Sequence, residues 1–145
     1  MDNDGAGPGT ATTDYYIYDR DHIKIAFRGT STTPRYRFLH GPEIDHLLAE
    51  ELNGDLRWLL SDHQGMIRDV INNVGTIRNH LRYNSFGTII NQTNGGVSPF
   101  FSYTGRELDS ESGLYFYRSR YYNPSIGRYI GEDWISLWGK ALNLS

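Results

Sequence analysis

The sequence predicts an all-β chain, an antiparallel meander of short strands. Composition is the first sign. Twenty of the 145 residues are Phe, Trp or Tyr, eleven of them Tyr, and sixteen are Gly. Aromatic side chains favour pleated strands, and glycine supplies the backbone conformations of tight turns. The second sign is rhythm: short runs rich in β-branched and aromatic residues recur with turn signals between them. The third is an internal repeat. Leu60-Ser61-Asp62-His63-Gln64-Gly65-Met66-Ile67 and Tyr83-Asn84-Ser85-Phe86-Gly87-Thr88-Ile89 share an Asp or Asn, a short spacer, a Gly and an aliphatic strand. Tyr18-Asp19-Arg20-Asp21-His22-Ile23 has the same frame with His22 in the glycine slot. The slots at 22, 65 and 87 lie 43 and 22 residues apart, consistent with a unit near 21 or 22. One such unit cannot bury its own face, so units must stack on one another.

In chain order, residues 1–13 are small, polar and turn-forming, and they read as a disordered leader. Residues 14–102 read as repeat-like strands. Tyr15–Tyr18 and Ile23–Phe27 flank a hairpin turn, and Arg35–Leu39 follows the turn Gly29–Pro34. Gly41–Leu52 is the one stretch where propensity points elsewhere. Ile44, Leu47, Leu48 and Leu52 fall at helical spacing and Pro42 suits a first turn, which allows a short helix near 43–52. Strands on both sides also allow the sheet to claim it. Leu56–Leu60, Met66–Ile71, Thr76–Tyr83 and Thr88–Gln92 are strands separated by the turns 61–65, 72–75 and 84–87. Asn94-Gly95-Gly96 breaks the ladder before a further strand, Pro99–Tyr103.

Several function classes have no support. A formal net charge of -3 offers no electrostatic case for nucleic acid or an anionic membrane surface. With no cysteine there is neither a disulfide framework nor a thiolate metal site. No apolar run approaches the length of a membrane span, and Met1-Asp2-Asn3-Asp4 does not begin a signal peptide. The five histidines, His22, His40, His46, His63 and His80, show no close metal-ligand spacing, and no nucleophile elbow or phosphate-binding loop calls for a cofactor.

Residues 103–145 form the C-terminal segment, densest in signal over Tyr103–Trp138. Local rules give two strand runs there, Leu114–Tyr122 and Arg128–Ile130, joined by a turn at Asn123–Gly127. Gly105-Arg106-Glu107-Leu108-Asp109, Ser112-Gly113-Leu114-Tyr115, Arg118-Ser119-Arg120-Tyr121-Tyr122, Asn123-Pro124, Gly127-Arg128 and Glu132-Asp133 resemble the RHS-repeat-associated core. That module ends the YD-repeat shell of RHS and Tc-type toxin proteins. Tyr18-Asp19 and the Tyr83–Gly87 unit resemble YD repeats. The resemblance implies a long antiparallel sheet spiralling into a hollow shell, closed at one end by the core segment. It implies two partners: the remaining repeats, on this chain or a neighbouring one, and a C-terminal toxin polypeptide held inside. It also implies secretion or cell-surface display for a full-length protein. The present chain reads as a fragment without the toxin.

In many relatives the core segment also cuts the chain downstream, by chemistry resembling that of aspartic proteases. Carried over by position, Asp109 and Asp133 form the carboxylate pair and Arg106 assists. Trp134 and Ser136 depart from the family's Asp-Pro-x-Gly pattern, and Asn123 stands where many relatives have Asp. The alternative reading of Asp109 and Asp133 is turn capping. For Arg106, Arg118, Arg120 and Arg128 it is cation–π and ion-pair packing on a sheet face. A third reading is a carbohydrate-binding repeat module, since aromatic faces stack on sugars.

Overall fold

The computed structural model describes residues 13–20, 22–43, 45–109 and 111–131. Two antiparallel sheets organise them. The larger holds eight strands in sequence order, each paired to the next: β1 Asp14–Asp19, β2 His22–Arg28, β3 Tyr36–His40, β4 Leu47–Leu52, β5 Asp55–Ser61, β6 Ile67–Ile71, β7 Ile77–Tyr83 and β8 Ile89–Gln92. The smaller has the order β12-β11-β10-β9, built from β9 Glu107–Asp109, β10 Leu114–Tyr117, β11 Arg120–Asn123 and β12 Arg128–Ile130. The antiparallel meander is therefore the architecture found, and among the described residues no helix is long and apolar enough to cross a membrane.

The repeat is a repeat of turns. In the β5–β6 turn the Asp62 amide donates to Met66 O at 3.0 Å, while Asp62 Oδ1 accepts the amides of Gln64 at 3.0 Å and Met66 at 3.2 Å. Asn72 in the β6–β7 turn and Asn84 in the β7–β8 turn make the same set of bonds. Each loop closes through a glycine at φ +75°, +80° or +92°, for Gly65, Gly75 and Gly87 in turn, a left-handed conformation that other residues adopt only at a cost. The first unit departs from this frame. Arg20 takes the left-handed position at φ 55°, and His22 is a strand residue paired with Asp19. His22 thus does not occupy a glycine slot.

The described residues of 43–52 form no helix. Leu47–Leu52 is β4, in register with β3 (Phe38↔Glu50) and β5 (Glu50↔Arg57). Pro42 stands in a tight loop in which the Gly41 amide donates to His46 O at 2.7 Å and Asp45 lies at φ 61°, which interrupts any right-handed turn. From Ala49 to Leu52 the strand is paired on both sides, an offer that a two-turn helix cannot match.

One face of the large sheet carries the core: Ile23, Ala26, Phe38, Leu47, Leu59, Ile67, Val70 and Leu81. Residues 93–106 run across it as a strap, inserting Val97, Phe100 and Phe101; the Phe38 ring lies 5.2 Å from each of the two phenylalanine rings. The strap has no strand of its own, so the expected strand Pro99–Tyr103 is not formed. Only a single bridge, Phe101↔Glu107, and short 3-10 turns at Gly95–Val97 and Tyr103–Gly105 occur there. Its backbone groups are met instead by polar side chains buried in the sheet. Glu50 accepts the Phe100 amide at 2.9 Å, Arg57 donates to Ser98 O at 3.4 Å, and Asn79 donates to Val97 O at 3.3 Å. This explains three polar residues in an apolar face, since unpaired buried amides are costly.

The expected single strand Leu114–Tyr122 is two strands. Arg118 at φ 58° and Ser119 form a two-residue turn, and β10 folds back on β11 with Tyr117 opposite Arg120.

Candidate functional site

The small sheet caps the end of the large sheet at which the 41–46, 62–65 and 84–87 turns emerge, and two groups of contacts hold it there. The first is a clasp of tyrosines on the β7–β8 turn. Tyr103 donates its hydroxyl to Ser85 O at 3.3 Å, Tyr122 to Phe86 O at 2.9 Å and Tyr115 to Gly87 O at 3.0 Å. Three successive turn carbonyls thus receive three phenols from the C-terminal segment. Burial pushes the Tyr115 phenol up to about 12, so it stays a donor at neutral pH. The fit is close. A Cβ on Gly87 would lie 2.5 Å from the Tyr103 ring, and one on Gly127 would lie 2.7 Å from the Phe86 ring.

The second contact is ionic. Asp45 projects from the β3–β4 loop between two guanidinium groups, with Arg106 at 2.6 and 3.2 Å and Arg118 at 3.0 Å. Arg106 lies over the Tyr117 ring at 5.2 Å, and Gly105 lets the strap approach Asp45 O, which a Cβ there would meet at 2.8 Å. A cavity of about 60 Å³ lies beside this ion pair, lined among others by His22, His40, Phe101 and Glu107. The two imidazole rings there are 4.6 Å apart, and burial holds His40 below the usual imidazole value.

Of the expected catalytic residues, Arg106 and Asp109 are among those described. Arg106 spends its guanidinium on Asp45. Asp109 accepts the Glu111 amide at 3.0 Å and the Ser112 hydroxyl at 2.6 Å, and its carbonyl accepts the Gly113 amide at 2.8 Å. These bonds close the β9–β10 turn. Asp133 lies outside the described residues. Of the other arginines, Arg118 joins Asp45 and Arg120 lies 4.1 Å over the Tyr129 ring. Tyr117, Tyr122 and Tyr129 meet one another edge-on at 5.4 to 5.8 Å, so the rings that suggested sugar stacking are engaged by their own chain.

Two carboxylates that matter were not singled out in the sequence. Asp45 sits in the loop whose secondary structure had two readings. Glu107 lies between Arg106 and Asp109, in a strand too short to show alternation, and it is 7% exposed. Burial, with Asp109 and Asp14 adding to it, raises the Glu107 carboxyl to about 7.

The model of the teneurin YD-shell matches residues 40–143. A shell domain of the YD-repeat class is what this meander and its cap define, and the chain belongs to the teneurin YD-shell family. It is similar to salivary gland surface protein 1 of Aedes aegypti, with 30% identity over 134 residues, covering 84% of this chain and 4% of that protein. Among solved structures, it superposes on a chain of the Photorhabdus luminescens Tc holotoxin pore with TM-score 0.69 and 21% identity over 91% of its length. On TcdB2-TccC3 without its hypervariable C-terminal region the TM-score is 0.66 at 20% identity, again over 91% of this chain. The chain spans 4% of the mosquito protein and 7% of each toxin chain. At these identities the solved structures establish the fold.

Proposed function

We propose that this chain is the closing end of a YD-repeat β-shell, a structural module whose β9–β12 sheet stops one end of a compartment that holds a polypeptide. The observation that carries this reading is the clasp: Tyr103, Tyr115 and Tyr122 grip consecutive carbonyls of a repeat turn, and Asp45 fastens the same sheet through Arg106 and Arg118. A clasp that reads backbone carbonyls and the bare Cα of Gly87 suits a cap seated on a repeat. The partners of the module are further YD repeats on either edge of the meander and the enclosed polypeptide, which in toxin relatives is a C-terminal toxin. Secretion or surface display follows for the whole protein. Electron microscopy of the protein encoded by the whole reading frame tests this. A hollow particle closed at one end by this module is expected; a solid globule or an open sheet overturns the reading.

Self-cleavage is a second reading, favoured by one observation: Asp109 lines a cleft together with Glu107, a carboxyl raised to about 7. It is checked by electrophoresis of the full-length protein beside its Asp109→Asn variant. Fragments lost in the variant support it, and an identical uncut band in both removes it.

A further inference from the structure

The turns opened by Asp62, Asn72 and Asn84 share one set of bonds, and the C-terminal half of the chain covers two of them. The turn ending at Gly87 bears the tyrosine clasp, and a Cβ built on Gly65 would meet the Thr104 backbone at 3.8 Å. The turn at 72–75 is bare. Residues 73–77 are all exposed, Val74 at 83%. This turn and the clasped one lie at opposite ends of the seven-residue strand β7, roughly 23 Å apart at 3.3 Å per residue, so the chain's own cap does not reach it.

Position for position the bare turn matches the clasped one. Asn72 Oδ1 accepts the amides of Val74 at 3.1 Å and Thr76 at 2.9 Å, as Asn84 Oδ1 accepts those of Phe86 at 2.9 Å and Thr88 at 3.0 Å. The Asn72 amide donates to Thr76 O at 3.1 Å, and the Asn84 amide to Thr88 O at 2.9 Å. The same closure presents the same groups outward. The carbonyls of Ser85, Phe86 and Gly87 receive Tyr103, Tyr122 and Tyr115. Their counterparts on Asn73, Val74 and Gly75 accept no hydrogen bond among the described residues. Thr88 Oγ1 donates to Pro124 O at 3.2 Å, whereas Thr76 Oγ1 makes no such bond.

The side chains around the bare turn are apolar. Val74 stands where Phe86 stands in the clasped turn, and the Phe86 ring is the one that a Cβ on Gly127 would meet at 2.7 Å. Trp58, Ile71 and Ile77 are register neighbours across β5, β6 and β7, and the Trp58 indole donates to Asn73 Oδ1 at 2.9 Å. Ile77 is 58% exposed. Arg78, next along β7, is already paired with Asp55 at 2.6 Å. Water satisfies the bare carbonyls and the Thr76 hydroxyl, but it gains nothing from the apolar shelf beside them, and such a shelf rimmed by polar groups suits a protein partner.

We infer that the 72–75 turn is a docking site for a tyrosine-bearing segment of another polypeptide, which seats phenol hydroxyls on the carbonyls of Asn73, Val74 and Gly75. The seating repeats what the cap does at the opposite end of β7. The segment also brings an acceptor to Thr76 Oγ1 and a small residue, the counterpart of Gly127, against Val74. The site is the end of the sheet and not an edge strand. It rests on the clasp and not on a hollow shell, so failure of the particle imaging leaves it standing.

Nuclear magnetic resonance of the isotope-labelled full chain tests this. The probe is the unlabelled synthetic peptide of residues 103–127, which carries the three clasping tyrosines and Gly127. Its analogue with Tyr103→Phe, Tyr115→Phe and Tyr122→Phe keeps the rings and removes the hydroxyls. The tyrosine peptide is expected to shift the amides of residues 73–77 saturably, with a Kd below about 1 mM, and the analogue to bind about tenfold or more weakly. A Cβ on Gly75 meets nothing in the free chain, but at the matching place on Gly87 it would stand 2.5 Å from the Tyr103 ring. Gly75→Ala is therefore expected to stay folded and to lose about tenfold or more in peptide affinity. Absence of saturable shifts at residues 73–77 overturns the inference, as do shifts confined to residues 85–88, where the peptide would be displacing the chain's own cap. Equal binding by the phenylalanine analogue, or by folded Gly75→Ala, overturns it too.

Discussion

Gly75 and Gly87 occupy the same slot of the same turn, at φ +80° and +92°, yet they differ in what surrounds them. Nothing lies within 4 Å of a Cβ built on Gly75, whereas one on Gly87 would stand 2.5 Å from the Tyr103 ring. Alanine at 75 therefore pays only backbone strain, about 1 kcal/mol. Alanine at 87 adds an overpacking cost, for a total of about 3 kcal/mol. Urea denaturation of the two variants measures the difference, which is the worth of the close approach on which the clasp depends. Glu107 makes a second contrast at this scale. Its carboxyl is raised from 4.5 to about 7, so the folded chain binds that proton more tightly than the unfolded chain. The stability this contributes is full below about pH 4.5 and is lost as pH rises through about 7, a fall of roughly 2–3 kcal/mol. His40, held low by burial, works in the opposite direction on the acid side. The difference between wild type and Glu107→Gln isolates the glutamate: the variant is expected to gain stability over the wild type as pH is raised from about 5 to 8, read by thermal melts across that range.

The strap shows why elements with alternation and turn chemistry are legible in a sequence and others are not. The turns at Asp62, Asn72 and Asn84 carry their own instructions, since the side-chain oxygen of the first residue and the glycine at the end make every bond locally. The four strands around them, β5 to β8, follow. Pro99–Tyr103 reads as a strand because it is aromatic, but the hydrogen bonds of Val97, Ser98 and Phe100 go to Asn79, Arg57 and Glu50, in positions 18 to 50 residues earlier in the chain. No local pattern announces such partners. The helical spacing of Leu47, Leu48 and Leu52 left two readings open for the same reason: β3 and β5 supply the ladder that decides the matter. The candidate site divides likewise. Arg106 and Asp109 were legible by position, while Asp45, the group Arg106 binds, lies 61 residues away. Glu50 and Arg57 give this scale its test. They face each other across β4 and β5 at 1% and 6% exposure; removing Arg57 leaves Glu50 a buried charge without its counter-charge, whereas Arg57 without Glu50 still holds Asp55 at 2.9 Å. Arg57→Met is expected to cost about 3 kcal/mol and Glu50→Gln about 1–2 kcal/mol, and the double variant less than the two singles combined. Additive losses in a double-mutant cycle would show that the strap is not held by the pair.

For the whole molecule the question is whether cap and meander are one cooperative unit. The large sheet has a contiguous core of its own, running from Ile23 to Val97. The small sheet is three- and four-residue strands whose described burial comes mostly from the clasp. A sheet that small has no independent stability, so its order is borrowed from the turns it grips. Removing the grip at both ends should then free the cap without unfolding the rest. Asp45→Asn removes the charge that Arg106 and Arg118 share while keeping a residue that tolerates φ 61°. Tyr122→Phe removes the bond to Phe86 O, at 2.9 Å. Each alone is expected to cost about 1–2 kcal/mol. In the double variant, hydrogen exchange at β10 and β11 amides is expected to quicken by about tenfold or more, while β4 to β7 amides keep near wild-type protection. Equal acceleration across both sheets would mean that cap and meander fold as a single unit. Acceleration confined to the small sheet would mean that the cap is a lid on a finished structure, able to open while the repeats behind it stay closed.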